Sequence, residues 1–204
     1  FFFHTHCNSV EHFGRGLFAA LIVEGDEAEH SDDDIVLLMK DWRLDAEGVF
    51  LPFSTDEGAA KAGTYGTVRS INGVTKPVIS VPASANVRLR FLNVDPARIS
   101  QIGIEGADAA IIAVDGNGCA PIPLGSWRMG PAGRLDILMR SPKPGALAQL
   151  VDYFSTEPVV LAEFKSDERA RRRDAFEAVP LLKMLYKAAD KAGAEHIPFA
   201  LSGT

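Results

Sequence analysis

An all-β sandwich is the fold class that this sequence of 204 residues predicts, and three observations carry it. From Phe1 to about Lys165, short apolar runs alternate with Gly, Pro, Asn and Asp punctuation, the pattern of a sandwich or barrel. One run, residues 86–93 (NVRLRFLN), has period two: Val87, Leu89 and Phe91 share one face, and Arg88, Arg90 and Leu92 the other. Such a strand has one dry face and one that is wet or ion-paired. Helical texture is confined to the stretch after Lys165. With 47% hydrophobic residues the chain can bury a core, and its length suits one all-β unit with extra material at its ends.

The elements follow in order. Residues 1–6 (FFFHTH) read as a strand with no start signal before it, as though its sheet lay upstream and the chain were a piece of something larger. A second strand is expected over 17–24 (LFAALIVE), and residues 26–34 (DEAEHSDDD) form a solvated acidic loop where one sheet ends and the next begins. Further strands are predicted over 34–42 (DIVLLMKDW), 78–81, 86–93, 99–104, 109–115 (AAIIAVD), 134–140 (RLDILMR) and 159–164. Pro82, Pro96, Pro121, Pro123, Pro131, Pro142 and Pro144 are placed between the runs, where a missing backbone donor costs least. Asp115-Gly116-Asn117 reads as a strand-ending turn. Arg134 and Asp136 are expected to form a same-strand ion pair, and Trp42 and Trp127 to pack in the core or between domains. Beyond Lys165, spacing at Leu181, Leu182, Leu185 and Ala189, Pro180 before them and Gly193 after them predict a short helical segment over about 181–192. Residues 196–202 (HIPFALS) read as a last strand, cut off as it starts.

Composition excludes several functions. A net charge of -6 and a pI near 5.4 argue against nucleic acid as a partner, and Arg169, Arg171, Arg172 and Arg173 read as a solvated helix face. No stretch reaches the about 18 uninterrupted apolar residues of a membrane span. Gly63, Gly66 and Gly73 lack the Gly-Lys-Ser/Thr context of a phosphate loop. Cys7 and Cys119 are too few for a disulfide framework.

The candidate metal ligands are His4 and His6. At i and i+2 of an extended strand they share a face, about 7 Å apart along it. Neutral imidazoles need a rigid platform and outer partners that set their tautomer, and an aromatic strand can supply both. The same spacing also describes two half-exposed strand histidines, and the residues alone leave both readings open.

A resemblance bears on the choice. The stretch FFFHTHCNSVEHFGRGLFAALIVEG resembles the end of the first cupredoxin domain of multicopper oxidases, an aromatic run with His-X-His, a polar spacer, Gly-Leu and an apolar strand ending in Val-Glu. Phe2, Phe3, His4, His6, Gly16, Leu17, Leu21, Ile22, Val23 and Glu24 occupy matching positions. In the same order, LLMKDWRLDAEGVF, GTYGTVRSING, RLRFLN, IEGADAAIIAVDGN and GPAGRLDILMR are similar to the family's second domain, and HIPFALSG to the first strand of its third.

The resemblance implies a cupredoxin-like Greek-key β-sandwich with a short C-terminal helical segment. It divides the chain into residues 1–29, the last strands of a first domain; 30–164, a second domain that binds no copper; and 165–204, a linker into a third. His4 and His6 then correspond to type 3 copper ligands of a three-copper cluster whose other ligands lie outside this chain. Cys7 lacks the surrounding pattern of an electron-entry copper and reads as structural, and His12, where the family often has Gln, as a surface or supporting residue. The parent would couple one-electron oxidation of a small molecule or metal ion to four-electron reduction of dioxygen to water, in the periplasm or outside the cell, with the remaining cupredoxin domains as its partners. Alone, the chain is expected to be inactive and structural. Two other readings stand beside this one. A copper-free scaffold of the same fold would have lost its histidines, which His4 and His6 oppose. A zinc or iron hydrolase needs further acidic ligands that Cys7-Asn8-Ser9 does not provide.

Overall fold

Strands with one apolar face must cover it, and here two sheets cover each other. The computed structural model describes residues 1–23, 31–61, 63–169, 175–179, 181 and 190–200. The chain opens with β1 (Phe2–His4), helix α1 (Ser9–Gly14) and β2 (Phe18–Ala20). It continues through β3 (Asp33–Trp42), helix α2 (Asp56–Ala60), β4 (Val68–Ile71), β5 (Val78–Pro82), β6 (Asn86–Asn93) and β7 (Ser100–Glu105). Then follow β8 (Ala109–Val114), β9 (Asn117–Pro123), β10 (Trp127–Met129), β11 (Arg134–Arg140), β12 (Leu147–Asp152) and β13 (Val159–Asp167). One sheet has the order β4-β3-β6-β11-β8-β9, the facing one β10-β7-β12-β13-β5, and β1 pairs with β2 alone. Pairing is antiparallel except between β3 and β6 and between β13 and β5. This is the Greek-key sandwich that the sequence predicts.

The core lies between the sheets. Leu37, Met39, Val87, Leu89, Phe91, Leu135 and Ile137 of the six-stranded sheet meet Ile102, Leu150, Ala162 and Phe164 of the other. Period two drives the opposite set outward. Arg88 there donates to Asp136 at 2.6 Å, and Arg90 binds both oxygens of Asp34. At one end of the sandwich Arg69 on β4 reaches across to Asp152 on β12 at 2.6 Å, so the two sheets are also joined by a nearly dry ion pair.

Several expectations are corrected. Asp136 pairs with Arg88, its diagonal neighbour on the adjacent strand, and not with Arg134, since the long Arg88 side chain reaches it across the ladder. Arg134 instead lies 3.8 Å from Asp115. The described end of the acidic stretch is bonded rather than solvated: Asp32 accepts from the Asn86 amide, Asp33 pairs with Arg169 at 2.8 Å and Asp34 belongs to β3. Residues 26–30 lie outside the described residues. Pro121 and Pro123 sit inside β9, which tolerates them because it is an edge strand with one hydrogen-bonding side unused. Strands β4, β9, β10 and β12 and both helices were not among the predicted runs. The turn at Asp115-Gly116 is as predicted: both residues have positive φ, 50° and 81°, as a two-residue hairpin between β8 and β9 requires.

The C-terminal stretch packs on the outer face of the six-stranded sheet, where Phe176, Ala178 and Leu181 cover Ile112, Ala113 and Leu138. Leu182, Leu185 and Ala189 of the predicted helix lie outside the described residues, as do Arg171, Arg172 and Arg173. Residues 190–192, at its predicted end, are not helical. Residues 196–200 of the predicted last strand are exposed and irregular, since no described strand offers them a ladder; 201 and 202 lie outside the described residues.

Truncation of Phe91 to Ala, at a position with no solvent exposure, is expected to cost about 3–5 kcal/mol in urea unfolding. A cost under about 1 kcal/mol would contradict a close-packed interface between the sheets.

Candidate metal centre

The strand β1 runs antiparallel to β2, with Phe2 opposite Ala20 and His4 opposite Phe18. Pairing stops at His4, so His6 lies just past the strand, yet its ring stays on the same side. The two imidazoles stack with centroids 4.9 Å apart and planes 26° from parallel, closer than an extended strand alone would hold them. Phe2 stacks on the other side of His4 at 5.6 Å. The His4 Nδ1 lies 3.1 Å from the Thr5 carbonyl oxygen. A carbonyl only accepts, so Nδ1 is the donor here, and in the neutral ring that arrangement leaves the lone pair on Nε2. Thr5 Oγ1 is buried and has no hydrogen-bond partner among the described residues.

A second side of His4 is held by Phe13, whose ring centroid is 5.1 Å away. Phe13 sits on α1, a helix of one and a half turns whose exposed side carries a Glu11–Arg15 ion pair at 3.0 Å. Two glycines let this helix lie close against the sandwich. A Cβ on Gly14 would stand 2.3 Å from Phe53 Cδ1, and one on Gly16 would stand 2.9 Å from Trp42 Cη2. Gly16 also has φ of 98°, a conformation that side chains resist. The aromatic contacts continue from Phe13 to Phe18 at 5.6 Å and from Phe18 to Trp42 at 6.4 Å. Trp42 donates its indole N–H to Ser70 Oγ at 2.7 Å. Trp42 therefore joins the N-terminal unit to β3, and Trp127, on the edge strand β10, is half-buried against the sandwich core, so both tryptophans pack as expected.

Beneath α1 is a charged cluster. Lys40 is 3% exposed; its ammonium donates to the Asp41 carbonyl at 2.7 Å and lies 5.5 Å from the centroids of both Phe13 and Trp42. Burial lowers its pKa, and the charges of Asp41 and Asp95 oppose that shift. The Asp41 carboxylate accepts from the Gly66 amide at 2.6 Å and from Arg98 Nε at 2.9 Å. Asp95, 1% exposed, accepts from the Asp41 amide through Oδ1, while its Oδ2 has no partner among the described residues. Burial, reinforced by the neighbouring Asp41 charge, pushes the Asp95 carboxyl up to about 8. A cavity of about 200 Å³ opens beside this cluster, between Phe13, Phe53, Ala59, Pro96 and Lys40.

The structure thus brings His4 and His6 together and leaves the other singled-out residues apart. Cys7 is exposed and Cys119 half-buried, both free. Among the described residues no group of three or more His, Cys, Asp or Glu is arranged to hold a metal ion. Two imidazoles with a free Nε2 fit copper in donor type, but they make part of a ligand set and not a whole one. Lys40, Phe13 and Asp95 were missed by sequence reasoning. The one signal available was a lysine inside the apolar run LLMKDW, a position where a charge must be compensated.

The fold and this edge-mounted imidazole pair define a cupredoxin-type sandwich with an adjoining strand-helix-strand unit. No protein-family profile and no curated protein matches the chain. Solved structures do. A multicopper oxidase from Pseudomonas thermotolerans is 31% identical with a TM-score of 0.84, over 95% of this chain and 46% of that one. One from Pseudomonas parafulva is 33% identical with a TM-score of 0.79, over 89% and 45%. Lac15, from a marine microbial metagenome, is 26% identical with a TM-score of 0.69, over 93% and 46%. By fold and by identity the chain is similar to multicopper oxidases, and it spans less than half the length of these proteins.

The raised Asp95 pKa has a definite sign. Between the ordinary carboxylate pKa near 3.8 and about 8, the unfolded chain ionises this group while the folded chain keeps it neutral, so its contribution to stability is lost as pH rises through that window. Asp95→Asn, neutral throughout, is expected to gain stability over the parent as pH goes from 5 to about 8 and then to hold level, read by chemical denaturation at each pH. A pH-independent difference would show that Asp95 is ionised in the fold.

Proposed function

We propose that this chain is part of a longer copper-dependent oxidase and that His4 and His6 ligate type 3 copper at a cluster completed by other domains of the same protein. The carrying observation is the His4 ring, with Nδ1 committed to the Thr5 carbonyl, Nε2 free, and the His6 ring stacked 4.9 Å away. Residues 1–29 belong to a first cupredoxin domain, 30–164 form a second that serves as a rigid spacer, and 165–204 lead towards a third. Copper at the completed cluster would store the electrons that one-electron donors deliver, so that dioxygen is reduced to water by four. The residues of this chain would present two imidazole nitrogens, hold the His4 ring between Phe2 and Phe13, and stack the His6 ring on it. The electron donor, a small molecule or a metal ion, is bound elsewhere in the longer protein. An extracytoplasmic location, periplasmic or extracellular, fits this reading.

Two imidazoles hold copper loosely, and the chain by itself is expected to show no dioxygen-dependent turnover of phenols or cuprous ion in an oxygen electrode. Sustained uptake by this chain would overturn the division of the ligand set. In the longer protein, His4→Ala or His6→Ala is expected to lower oxygen uptake by about 100-fold or more and to reduce the copper content at the cluster. Full copper loading with unchanged uptake would instead favour a copper-independent scaffold role for this region.

A further inference from the structure

The ring of His4 is constrained from two directions. The Thr5 carbonyl fixes which nitrogen carries the proton, and Phe13, 5.1 Å away at a tilt of 42°, limits how far the ring can turn. What holds Phe13 is therefore part of what holds His4. Gly14 and Gly16 seat α1 against Phe53 and Trp42, which fixes the helix but not the χ angles of Phe13. Phe18, edge-on at 5.6 Å, and Lys40 both bear on those. The Lys40 ammonium is buried and donates to the Asp41 carbonyl; the nearby Asp41 and Asp95 act on its charge, and the faces of Phe13 and Trp42 lie 5.5 Å from it and add to its compensation. A desolvated cation held between two rings orders both, because turning either ring away leaves the charge uncovered.

We infer that Lys40, a residue of the sandwich, is a positioning residue for His4, acting through Phe13 to fix the orientation in which Nε2 is presented. The purpose of this device rests on the metal-ligand reading of His4 and His6, while the contact chain Lys40–Phe13–His4 does not. The device places part of the control of the histidine pair on β3, outside the unit that carries the pair.

The test uses the whole 204-residue chain. Long-range proton-nitrogen NMR of the imidazoles reads the His4 tautomer and its ring-current shifts without any metal, and titration with copper(II) alone reads affinity. In the parent, His4 is expected as a single Nδ1–H tautomer. Lys40→Met, which keeps the apolar stem and removes the charge, is expected to give a mixture of His4 tautomers, altered ring-current shifts and copper(II) binding weaker by about tenfold. Lys40→Arg, for which the adjoining cavity leaves room, is expected to restore both readouts. A folded Lys40→Met chain with an unchanged His4 tautomer and shifts overturns the inference, and so does Lys40→Arg behaving like Lys40→Met. If Lys40→Met does not fold, Phe13→Leu takes its place: an altered His4 spectrum supports the contact chain and an unaltered one ends it. If no copper binding depends on His4 and His6 while the NMR responds as expected, the metal reading fails and the positioning stands.

Discussion

The parallel pairing of β3 with β6 is the constraint from which most of this structure follows. Because strand side chains alternate, fixing β3 against β6 commits Leu37 and Met39 to the core and leaves Asp34, Leu38, Lys40 and Trp42 on the outer face. A slip of one residue would put the lysine and the tryptophan inside and the core residues in water. The same register places Asp34 beside Arg88 and Arg90, so apolar burial on one face and charge pairing on the other select the same alignment. At its far end the strand becomes the floor on which the N-terminal unit rests.

Charge is used unevenly across the sandwich. The Arg90–Asp34 pair is partly exposed and contributes little beyond register, in line with the small value of solvated ion pairs. Arg69–Asp152 and Arg98–Asp41 are different, since Asp152 and Asp41 are almost fully buried and removing either cation would strand a carboxylate. In the cluster around Asp41, burial and the neighbouring Asp41 charge push the Asp95 carboxyl up, which favours its neutral form, while Asp41 accepts from Arg98. Such groups add specificity of arrangement more than net stability.

The functional reading depends on an asymmetry. A sandwich with a dry core and no metal site of its own among the described residues is joined, through α1 and Trp42, to a short unit bearing two stacked imidazoles. On the proposed reading, the rigid part contributes position and the small part contributes donors. This division suits a ligand pair shared with other parts of a longer protein, because a shared cluster tolerates little relative movement between the pieces that supply it.

How much of this was legible from residues alone varies by element. The period-two run NVRLRFLN settled β6, its core face and its charged face, and Asp115-Gly116 settled the tight hairpin, because alternation and positive φ are local properties. The strands β9 and β12 were passed over: prolines mask the first, and the apolar run of the second is short and interrupted by Gln149. Helix α2 had a readable cap, Thr55 accepting from the Gly58 amide, in a stretch with no apolar period to draw attention to it. By itself the sequence determined the sandwich, the family resemblance and the two histidines. Which charges pair, that Asp95 is pushed towards its neutral form, and that Lys40 and Phe13 reach the His4 ring were decided by tertiary structure, since each depends on strands distant in the chain meeting at one register and on burial that no local pattern encodes.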